Sequence, residues 1–346
     1  MKLLRPDKAI VKLQTFIATN RRVPSLSEVS SALGRRSALS FPTLIQLEPT
    51  TRCNLDCITC SRTSLAKSRL NKDLSVAQFN DLLLQIPAGT TLKLQGLGEP
   101  LLNRDIWEIA HNAKAKGVKL TTITNGTLID SSNTDRILQY LDSIAISLDS
   151  TDPENYRQIR RKGELAKLLV NIDFLMERKR QMKSKIKVYL IFVVTNLNLH
   201  ELKNYFELCQ NLGVNCFVGE VENWYIPSQS QYQSESEFIQ RCRLSQDRIM
   251  KDVHSAMPRF AAKGLSISYL SSAKRKETCI RPFQWCFITV DGYVTPCCIR
   301  MDPDVFNFGN VYQTPLKEIW NSIEFKEFRS RMTRGESLPI CDYCPD

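Results

Sequence analysis

The sequence predicts an α/β fold: a partial (β/α)6 TIM-like barrel followed by a small, cysteine-rich C-terminal domain. Two observations predict it. From residue 43 onward, short apolar runs alternate with amphipathic helical patterns, which is typical of parallel strands joined by helices. Residues 266–346 instead combine cysteines with glycine and proline turns and have little periodicity. The chain is long enough for one barrel-like domain and a smaller appendage.

The predicted core spans residues 43–225. Right-handed crossovers between parallel strands curl such a sheet into a partial or full barrel, with the chemistry at the carboxyl ends of the strands. Ser75 is a typical helix start and Gly213 a typical helix end. We predict strands at Thr43–Leu47, Thr91–Gln95, Lys119–Thr124, Ser143–Leu148, Lys187–Val194 and Val214–Gly219, and helices at Val76–Gln85, Ile106–Lys116, Asp135–Leu141, Leu165–Met182 and Leu199–Leu212.

Three further segments flank this core. Residues 1–42 are predicted to be a helical extension, and residues 226–265 a loop and a linking helix that begins near Glu237. The polar stretch Pro227–Ser234 is typical of a lid or linker. The chain has no apolar run of membrane-spanning length and no signal peptide at its start, which predicts a cytoplasmic protein without membrane partners.

The charge balance favours an anionic partner. The 47 Lys and Arg residues outnumber the 36 Asp and Glu residues, which gives a net charge of +11. This excess suits a phosphorylated or carboxylated substrate, and a solubilising surface is the alternative. Nucleic acid is a minor hypothesis, because no basic stripe with interleaved aromatic residues is present.

The most informative motif is Cys53-x3-Cys57-x2-Cys60, which directly follows the first predicted strand. Three thiolates on one loop can each hold one iron of a [4Fe–4S] cluster, and without a fourth cysteine nearby they leave one iron open. Zinc is the competing ligand, but structural zinc needs four closed ligands and no His or Cys follows closely.

This motif resembles that of the radical S-adenosylmethionine (SAM) superfamily, and the resemblance spans residues 43–225. It implies that the open iron binds the amino and carboxylate groups of SAM. It further implies that one electron from the reduced cluster cleaves SAM to a 5′-deoxyadenosyl radical. The chain is therefore expected to be a radical SAM oxidoreductase or a related modifying enzyme, served by an electron donor such as flavodoxin or ferredoxin.

Other strand ends also resemble the family. Gly98, Glu99 and Pro100 match a segment that contacts the SAM amino group. The resemblance implies that Ser147 and Asp149 lie near the SAM carboxylate and ribose, that Arg160 pairs with the carboxylate and that Asn196 faces the adenosine. The alternatives are a solvated helix face for Arg160 and a turn residue for Asn196. The implied cofactor-binding set is Gly98, Glu99, Pro100, Asn125, Ser147, Asp149, Arg160 and Asn196.

The second cysteine group lies at the other end of the chain. Cys341 and Cys344 form half of a typical metal site, and the other half must come from two of Cys279, Cys286, Cys297 and Cys298. The turn at Asp291-Gly292 predicts a hairpin of residues 287–290 and 293–295. Structural zinc is the alternative to a cluster here, and either metal would supply much of the folding energy.

The spacing of Cys279, Gly292 and Cys297 resembles the SPASM/twitch domain of radical SAM proteins. That resemblance implies an auxiliary [4Fe–4S] cluster held by Cys279, Cys297, Cys341 and Cys344. We expect a single auxiliary cluster, as in the shorter twitch form. The remaining cysteines are expected to be small buried side chains, with hydrogen-atom donation as the alternative for Cys286 or Cys298.

The predicted substrate contacts follow the sixth strand. We expect Glu220, Glu222 and Tyr225 to face the strand-end cavity, with Glu220 as a proton acceptor or a solvated carboxylate. Family membership suits hydrogen abstraction from a sugar- or aminocyclitol-like small molecule. Epimerisation or crosslinking of a ribosomally made peptide is the alternative. A non-catalytic iron–sulfur carrier or scaffold is a third hypothesis, disfavoured by the intact motifs around Glu99 and Asp149.

Overall fold

One open, largely parallel sheet organises the protein, and the computed structural model describes it over residues 38–220, 246–270 and 279–342. Its strand order is β7-β6-β5-β4-β3-β2-β1-β8-β9. Every adjacent pair is parallel except β8 and β9. The strands are β1 (Leu44–Leu47), β2 (Thr91–Leu94), β3 (Lys119–Thr124), β4 (Ser143–Ser147), β5 (Lys187–Val194), β6 (Asn215–Glu220), β7 (Ile267–Leu270), β8 (Trp285–Ile288) and β9 (Val294–Thr295).

Helices connect the strands and begin and end at the residue types that favour such boundaries. Ser75 caps α1 because its hydroxyl accepts the Gln78 N–H, and Gly213 ends α6 in the left-handed region, with φ of 67°. The helices are α1 (Val76–Gln85), α2 (Ile106–Ala115), α3 (Thr134–Tyr140), α4 (Pro153–Ile159), α5 (Leu165–Gln181), α6 (Leu202–Leu212), α7 (Gln246–Ala261), α8 (Arg281–Gln284), α9 (Leu316–Trp320), α10 (Ile323–Arg334) and α11 (Pro339–Asp342).

The predicted fold class is confirmed, since the sheet is parallel, open and followed by the C-terminal unit. Three strands extend it beyond the six predicted for the core. Strands β8 and β9 pair antiparallel as the hairpin predicted at Asp291-Gly292, although β8 begins two residues before the predicted range. Strand β7 pairs with β6, and β8 pairs with β1. By this pairing β7 belongs to the core sheet, and not to the unit predicted to begin at residue 266.

The helix predictions need two corrections within the core, and helices α8–α11 of the C-terminal unit were not predicted. The segment predicted as one helix over Leu199–Leu212 is a 3-10 turn, Leu199–Glu201, followed by α6. Helix α4 was not predicted, although Asp152 caps it and Pro153 begins it. Predictions for most of residues 1–42, for the 227–234 loop and for Glu222, Tyr225, Cys242 and Cys344 lie outside the described residues.

The two faces of the sheet differ in burial. Alternate residues of β5 and β6 pack against α6, as Phe192 does against Tyr205, with ring centroids 4.7 Å apart. The opposite face is only half-buried, and we call it the open face. A Cβ added at Gly219 would meet no atom of the described residues within 4 Å, so these residues leave space in front of β6 there. In β1–β6 the open face carries residues such as Gln46, Lys93, Thr121, Phe217 and Gly219.

The C-terminal unit packs around aromatic side chains. Phe308 stacks on Phe325 with ring centroids 3.7 Å apart, and Phe328 meets Phe308 edge-on. The Arg329 guanidinium lies 4.0 Å from the ring centroid of Trp320 and 3.9 Å from that of Phe325. These contacts give a small domain an ordered centre. Across the described residues, no helix is both long and apolar enough to cross a membrane.

Candidate active site

The predicted site residues meet at the carboxyl edge of the sheet. The cysteine loop follows β1, Glu99 follows β2, Asn125 follows β3 and Asp149 follows β4. These four strands are neighbours and parallel, so their carboxyl ends lie at the same edge. The sequence prediction that these motifs share one edge therefore agrees with the strand order.

Backbone hydrogen bonds from distant elements hold the cysteine loop in place. The Glu99 N–H donates to the Arg52 carbonyl at 2.7 Å, and the Ile58 N–H donates to the Ile159 carbonyl at 3.0 Å. The Asn54 amide donates to the Thr127 hydroxyl at 2.8 Å. The loop is thus tied to β2, β3 and α4 by protein contacts alone.

Gly98 is required by a close approach of two chain segments. A Cβ at this position would lie 2.3 Å from the Thr50 carbonyl oxygen and 2.6 Å from that of Arg52. Both oxygens are backbone atoms and cannot move aside easily. The glycine predicted as a SAM contact therefore also lets the segment after β2 lie against the cysteine loop.

The three loop thiols form one electrostatic group. Burial raises the pKa of all three thiols, that of Cys60 to about 11, and negative charge on Cys57 raises the pKa of both Cys53 and Cys60. Cluster assembly must therefore remove protons from thiols that hold them in the metal-free protein.

The three thiols suit a multi-iron cluster, because a cubane cluster takes one thiolate on each of several irons. Cys53, Cys57 and Cys60 would hold three of those irons.

Arg160 joins the cysteine loop to the end of β4. Its Nε and Nη2 atoms each lie 2.6 Å from Asp149 Oδ2, and its Nη1 lies 3.6 Å from Cys57 Sγ. Positive charge on Arg160 lowers the pKa of Cys57 against the effect of burial. The side chain is only 14% exposed, so the alternative of a solvated helix face is wrong. Arg160 also lies just beyond α4 and caps it, because the helix ends at Ile159.

Glu99 and Asn125 form a second polar group beside the loop. Glu99 accepts the Thr124 hydroxyl at 2.7 Å and the Asn125 N–H at 2.7 Å, and the Asn125 amide donates to Asn54 at 2.9 Å. A carboxylate has about four acceptor sites, so Glu99 keeps capacity for a ligand amino group. Burial raises its pKa, while these donors lower it.

The structure places the remaining predicted residues less uniformly. Ser147 ends β4 on the same face as Ala145, which is the open face. Asn196 lies two residues after β5, close to the same edge. Glu220 ends β6 and shares the face of Cys216, whose thiol contacts Cys209 of α6. Strand alternation places Glu220 on the face of β6 that packs against the helices. Its role as a proton acceptor stays a prediction.

The second cysteine group is assembled from separate segments. Cys279 and Cys341 pack against the same aromatic cluster, which contains Phe283 and Phe328. Cys297 belongs to a reverse turn that Arg300 ties to Ile340, with Nε donating to the carbonyl at 2.6 Å. Protein contacts thus join the segments of three predicted ligands, and this all-sulfur donor set suits an iron–sulfur cluster.

The two other C-terminal cysteines have different surroundings. Cys286 lies within β8, is 1% exposed, and has its pKa raised to about 12 by burial. Cys298 packs with Cys60 against a small apolar cluster that includes Phe287 and Met301. The position of Cys286 favours the expected packing role, whereas Cys298 borders the region between the two cysteine groups.

A buried ion pair that sequence reasoning missed connects the sheet edge to the C-terminal unit. Arg69 Nη2 lies 3.0 Å from Glu48 Oε2, and both side chains are almost fully buried. Glu48 also accepts the N–H groups of Leu97 and Val290 at 3.2 Å. The partners are 21 and 242 residues apart in sequence, so no local pattern could reveal the contact.

Comparison with known proteins supports both domains. A model of the radical SAM superfamily matches residues 47–209, and the SPASM model, described as an iron–sulfur cluster-binding domain, matches residues 279–345. An AdoMet-dependent heme synthase of Methanosarcina barkeri is 25% identical over 331 residues, covering 87% of this chain and 89% of its own. A probable GTP 3′,8-cyclase of Methanocaldococcus jannaschii is 23% identical over 284 residues, covering 79% of this chain and 89% of its own.

A solved structure shares the fold. SuiB of Streptococcus suis, bound to its precursor peptide SuiA, superposes with a TM-score of 0.69 at 16% identity, covering 93% of this chain and 77% of that one. The two domain matches confirm the expected cofactors, SAM with a [4Fe–4S] cluster and further iron–sulfur binding at the C-terminus. The chain belongs to the radical SAM superfamily and carries a C-terminal SPASM domain.

Proposed function

We propose that this protein is an enzyme that abstracts a hydrogen atom from a small anionic molecule and oxidises or otherwise modifies it. The observation that carries the proposal is the meeting of the three-thiol loop, Glu99 and the Asp149–Arg160 pair at one sheet edge. When bound, the [4Fe–4S] cluster and SAM supply a 5′-deoxyadenosyl radical at that edge. Cys53, Cys57 and Cys60 would hold the cluster.

The chain's own residues would position SAM. Glu99 keeps acceptor capacity for the amino group beside the loop that Gly98 allows to approach closely. Arg160 is a cation between Asp149 and Cys57. Its N–H groups would also donate to the carboxylate of SAM, a third negative group beside Asp149 and the Cys57 thiolate. Asn125, Ser147 and Asn196 would supply further polar contacts along the same edge.

The charge of the protein supports an anionic substrate. The net charge is +11, and within β1–β6 the open face carries no Asp or Glu. The curated relatives include a heme synthase and a probable GTP cyclase, and GTP is itself an anion. A sugar- or aminocyclitol-like substrate remains a narrower form of the same proposal, provided that it carries a negative group.

Peptide maturation is the second candidate, and one observation favours it. The fold matches SuiB over 93% of this chain, and that protein was solved with its precursor peptide. A peptide could reach the same sheet edge along the open face. In either case an electron donor such as flavodoxin or ferredoxin would reduce the cluster. A non-catalytic carrier role is disfavoured, because the Glu99 and Asp149–Arg160 groups are intact and buried.

The test is a substrate panel given to the anaerobically reconstituted protein with dithionite and SAM. The panel contains GTP, an iron porphyrin with carboxylate side chains, an aminocyclitol phosphate and short peptides. A substrate should raise 5′-deoxyadenosine formation above the uncoupled rate and transfer deuterium from its own carbon. Stimulation by neutral peptides and by none of the anions would contradict the anionic small-molecule proposal and favour peptide maturation.

A variant pair locates the substrate once one is found. Gly219→Val should fill the space before the open face, because a Cβ there meets no atom of the described residues within 4 Å. We expect it to lose substrate-stimulated turnover and keep uncoupled SAM cleavage. Asn215→Val changes the same strand and face at the amino end and is the matched control. An equal loss of substrate-stimulated turnover in both variants would show that turnover depends on the integrity of β6 and not on the space in front of Gly219.

A further inference from the structure

Arg300 is a buried cation whose terminal nitrogens lack partners. The residue is 6% exposed, and its Nε donates to the Ile340 carbonyl at 2.6 Å. Its Nη1 and Nη2 atoms are both buried, and neither has a hydrogen-bond partner among the described residues. A guanidinium carries five N–H donors, so four of them are directed into the protein without an acceptor.

The position of Arg300 is close to the predicted auxiliary ligands. Its backbone N–H donates to the Cys297 carbonyl at 3.2 Å, and this bond closes the turn that contains Cys297 and Cys298. Its Nε contact is to the residue directly before Cys341. Arg300 therefore ties together the two segments that carry Cys297 and Cys341.

Two other buried arginines show what Arg300 lacks. Arg69 has Glu48 as its ion-pair partner at 3.0 Å. Arg329 lies between the rings of Trp320 and Phe325 and donates to two backbone carbonyls. Burying a charge without a partner is costly, so a protein that buries one normally supplies an anion or bound ligand to it.

We propose that Arg300 is the charge partner of the auxiliary cluster, with its Nη groups donating to thiolate or sulfide sulfurs. This inference rests on the proposed function, since it requires a cluster at the second cysteine group. A cluster with four thiolates is an anion, and its reduction adds one more negative charge. A nearby cation stabilises the reduced form more than the oxidised form. Arg300 would therefore keep the reduction potential of this cluster higher than the thiolates alone would.

The test isolates the auxiliary cluster in the full chain. A Cys53→Ala/Cys57→Ala/Cys60→Ala background removes the SAM-binding cluster, and a redox titration followed by electron paramagnetic resonance then reports the auxiliary cluster alone. In this background Arg300→Gln should lower the reduction equilibrium constant at least tenfold, about 59 mV for a one-electron couple. Arg300→Lys keeps the charge and should shift it less. Arg334→Gln removes an exposed arginine of the same unit and should leave it unchanged.

The outcomes separate this inference from the proposed function. A fully loaded Arg300→Gln cluster with an unchanged potential would overturn the role of Arg300 and leave the radical enzyme intact. Zinc in place of iron would overturn both the auxiliary cluster and this inference. If Arg300→Gln does not load iron, the background protein is labelled with guanidino-15N arginine. A 15N hyperfine coupling to the reduced cluster then supports the contact, and its absence overturns it.

Discussion

The two cysteine groups are built in different ways. Cys53, Cys57 and Cys60 lie on one loop, and contacts to β2, β3 and α4 hold that loop. The C-terminal group instead draws on segments around residues 279, 297 and 341, which meet only when an aromatic core forms. The conformation of the Cys53–Cys60 loop is thus fixed by the core sheet and its helices. The C-terminal cysteine group depends instead on the folding of its own small domain.

The arginine beside each group shows the same contrast. Arg160 already has Asp149 at 2.6 Å and is close to the Cys57 thiol. The terminal nitrogens of Arg300 have no partner among the described residues, although they are buried. The first site is therefore preorganised by protein contacts, and the second is completed by what it binds. Loss of a ligand should affect function at the first site, and stability as well at the second.

Cysteine removal should give the largest effects and tests this contrast directly. We expect Cys57→Ala to abolish 5′-deoxyadenosine formation and to remove about four irons per chain, the content of one [4Fe–4S] cluster. Its melting temperature should change little, because the loop keeps its backbone contacts. Cys297→Ala should lose similar iron but melt lower and be cleaved faster by protease within the C-terminal unit. Equal melting of the two variants would contradict the contrast.

The buried ion pair between the two regions should give the next largest effect. Arg69→Met leaves the Glu48 carboxylate buried without its cation and should lower the free energy of unfolding by about 3–5 kcal/mol. Urea unfolding measures this loss. Burial raises the folded-state pKa of Glu48 above its usual value. Arg69 lowers this pKa against the effect of burial, so its removal raises the pKa further and the loss should deepen as the pH rises above it.

A double variant provides the control for this pair. Arg69→Met/Glu48→Met removes both charges together, so it should be less destabilising than Arg69→Met alone. If the single and double variants unfold at the same urea concentration, then the ion pair does not account for the loss. In that case the packing of the long Arg69 side chain would be the cause.

The smallest predicted effect concerns the link between the loop and β3. Asn54→Ala removes hydrogen bonds to Thr127 and Asn125 and should cost about 1 kcal/mol of unfolding free energy. It should also reduce SAM cleavage, because the loop loses one of its supports. Asn80→Ala breaks an exposed amide contact to Asn112 and is the matched control. Equal SAM cleavage in both variants would show that this link does not position the loop.

Local patterns account for what the sequence could predict. The spacing of Cys53, Cys57 and Cys60 and the run of alternating elements identified the fold, the family and the first cluster. The turn at Asp291-Gly292 predicted the β8–β9 hairpin, whereas β7, a four-residue strand at the edge of the sheet, was not predicted. Glu220 was predicted to face the cavity and ends β6 on its buried face, and a shift of one residue along a strand reverses the face of a side chain.

Long-range contacts set the limit of sequence reasoning. Glu48 and Val290 are 242 residues apart in sequence. The position of Arg300 near the auxiliary ligands depends on its contact with Ile340, the residue directly before Cys341. The family resemblance suggested Arg160 as a SAM contact, but its contacts with Asp149 and Cys57 became evident only from the fold. Charged residues whose partners lie far away in sequence carry no periodic signal.

The most direct test of the account is one preparation, reconstituted anaerobically, in which iron, sulfide and zinc are measured and SAM is added with dithionite. We expect about eight irons per chain, four for each cluster, together with 5′-deoxyadenosine. About four irons with one zinc would keep the radical chemistry and make the C-terminal site structural. Little iron, or no cleavage of SAM under reduction, would contradict the central claim that this chain is a radical SAM enzyme.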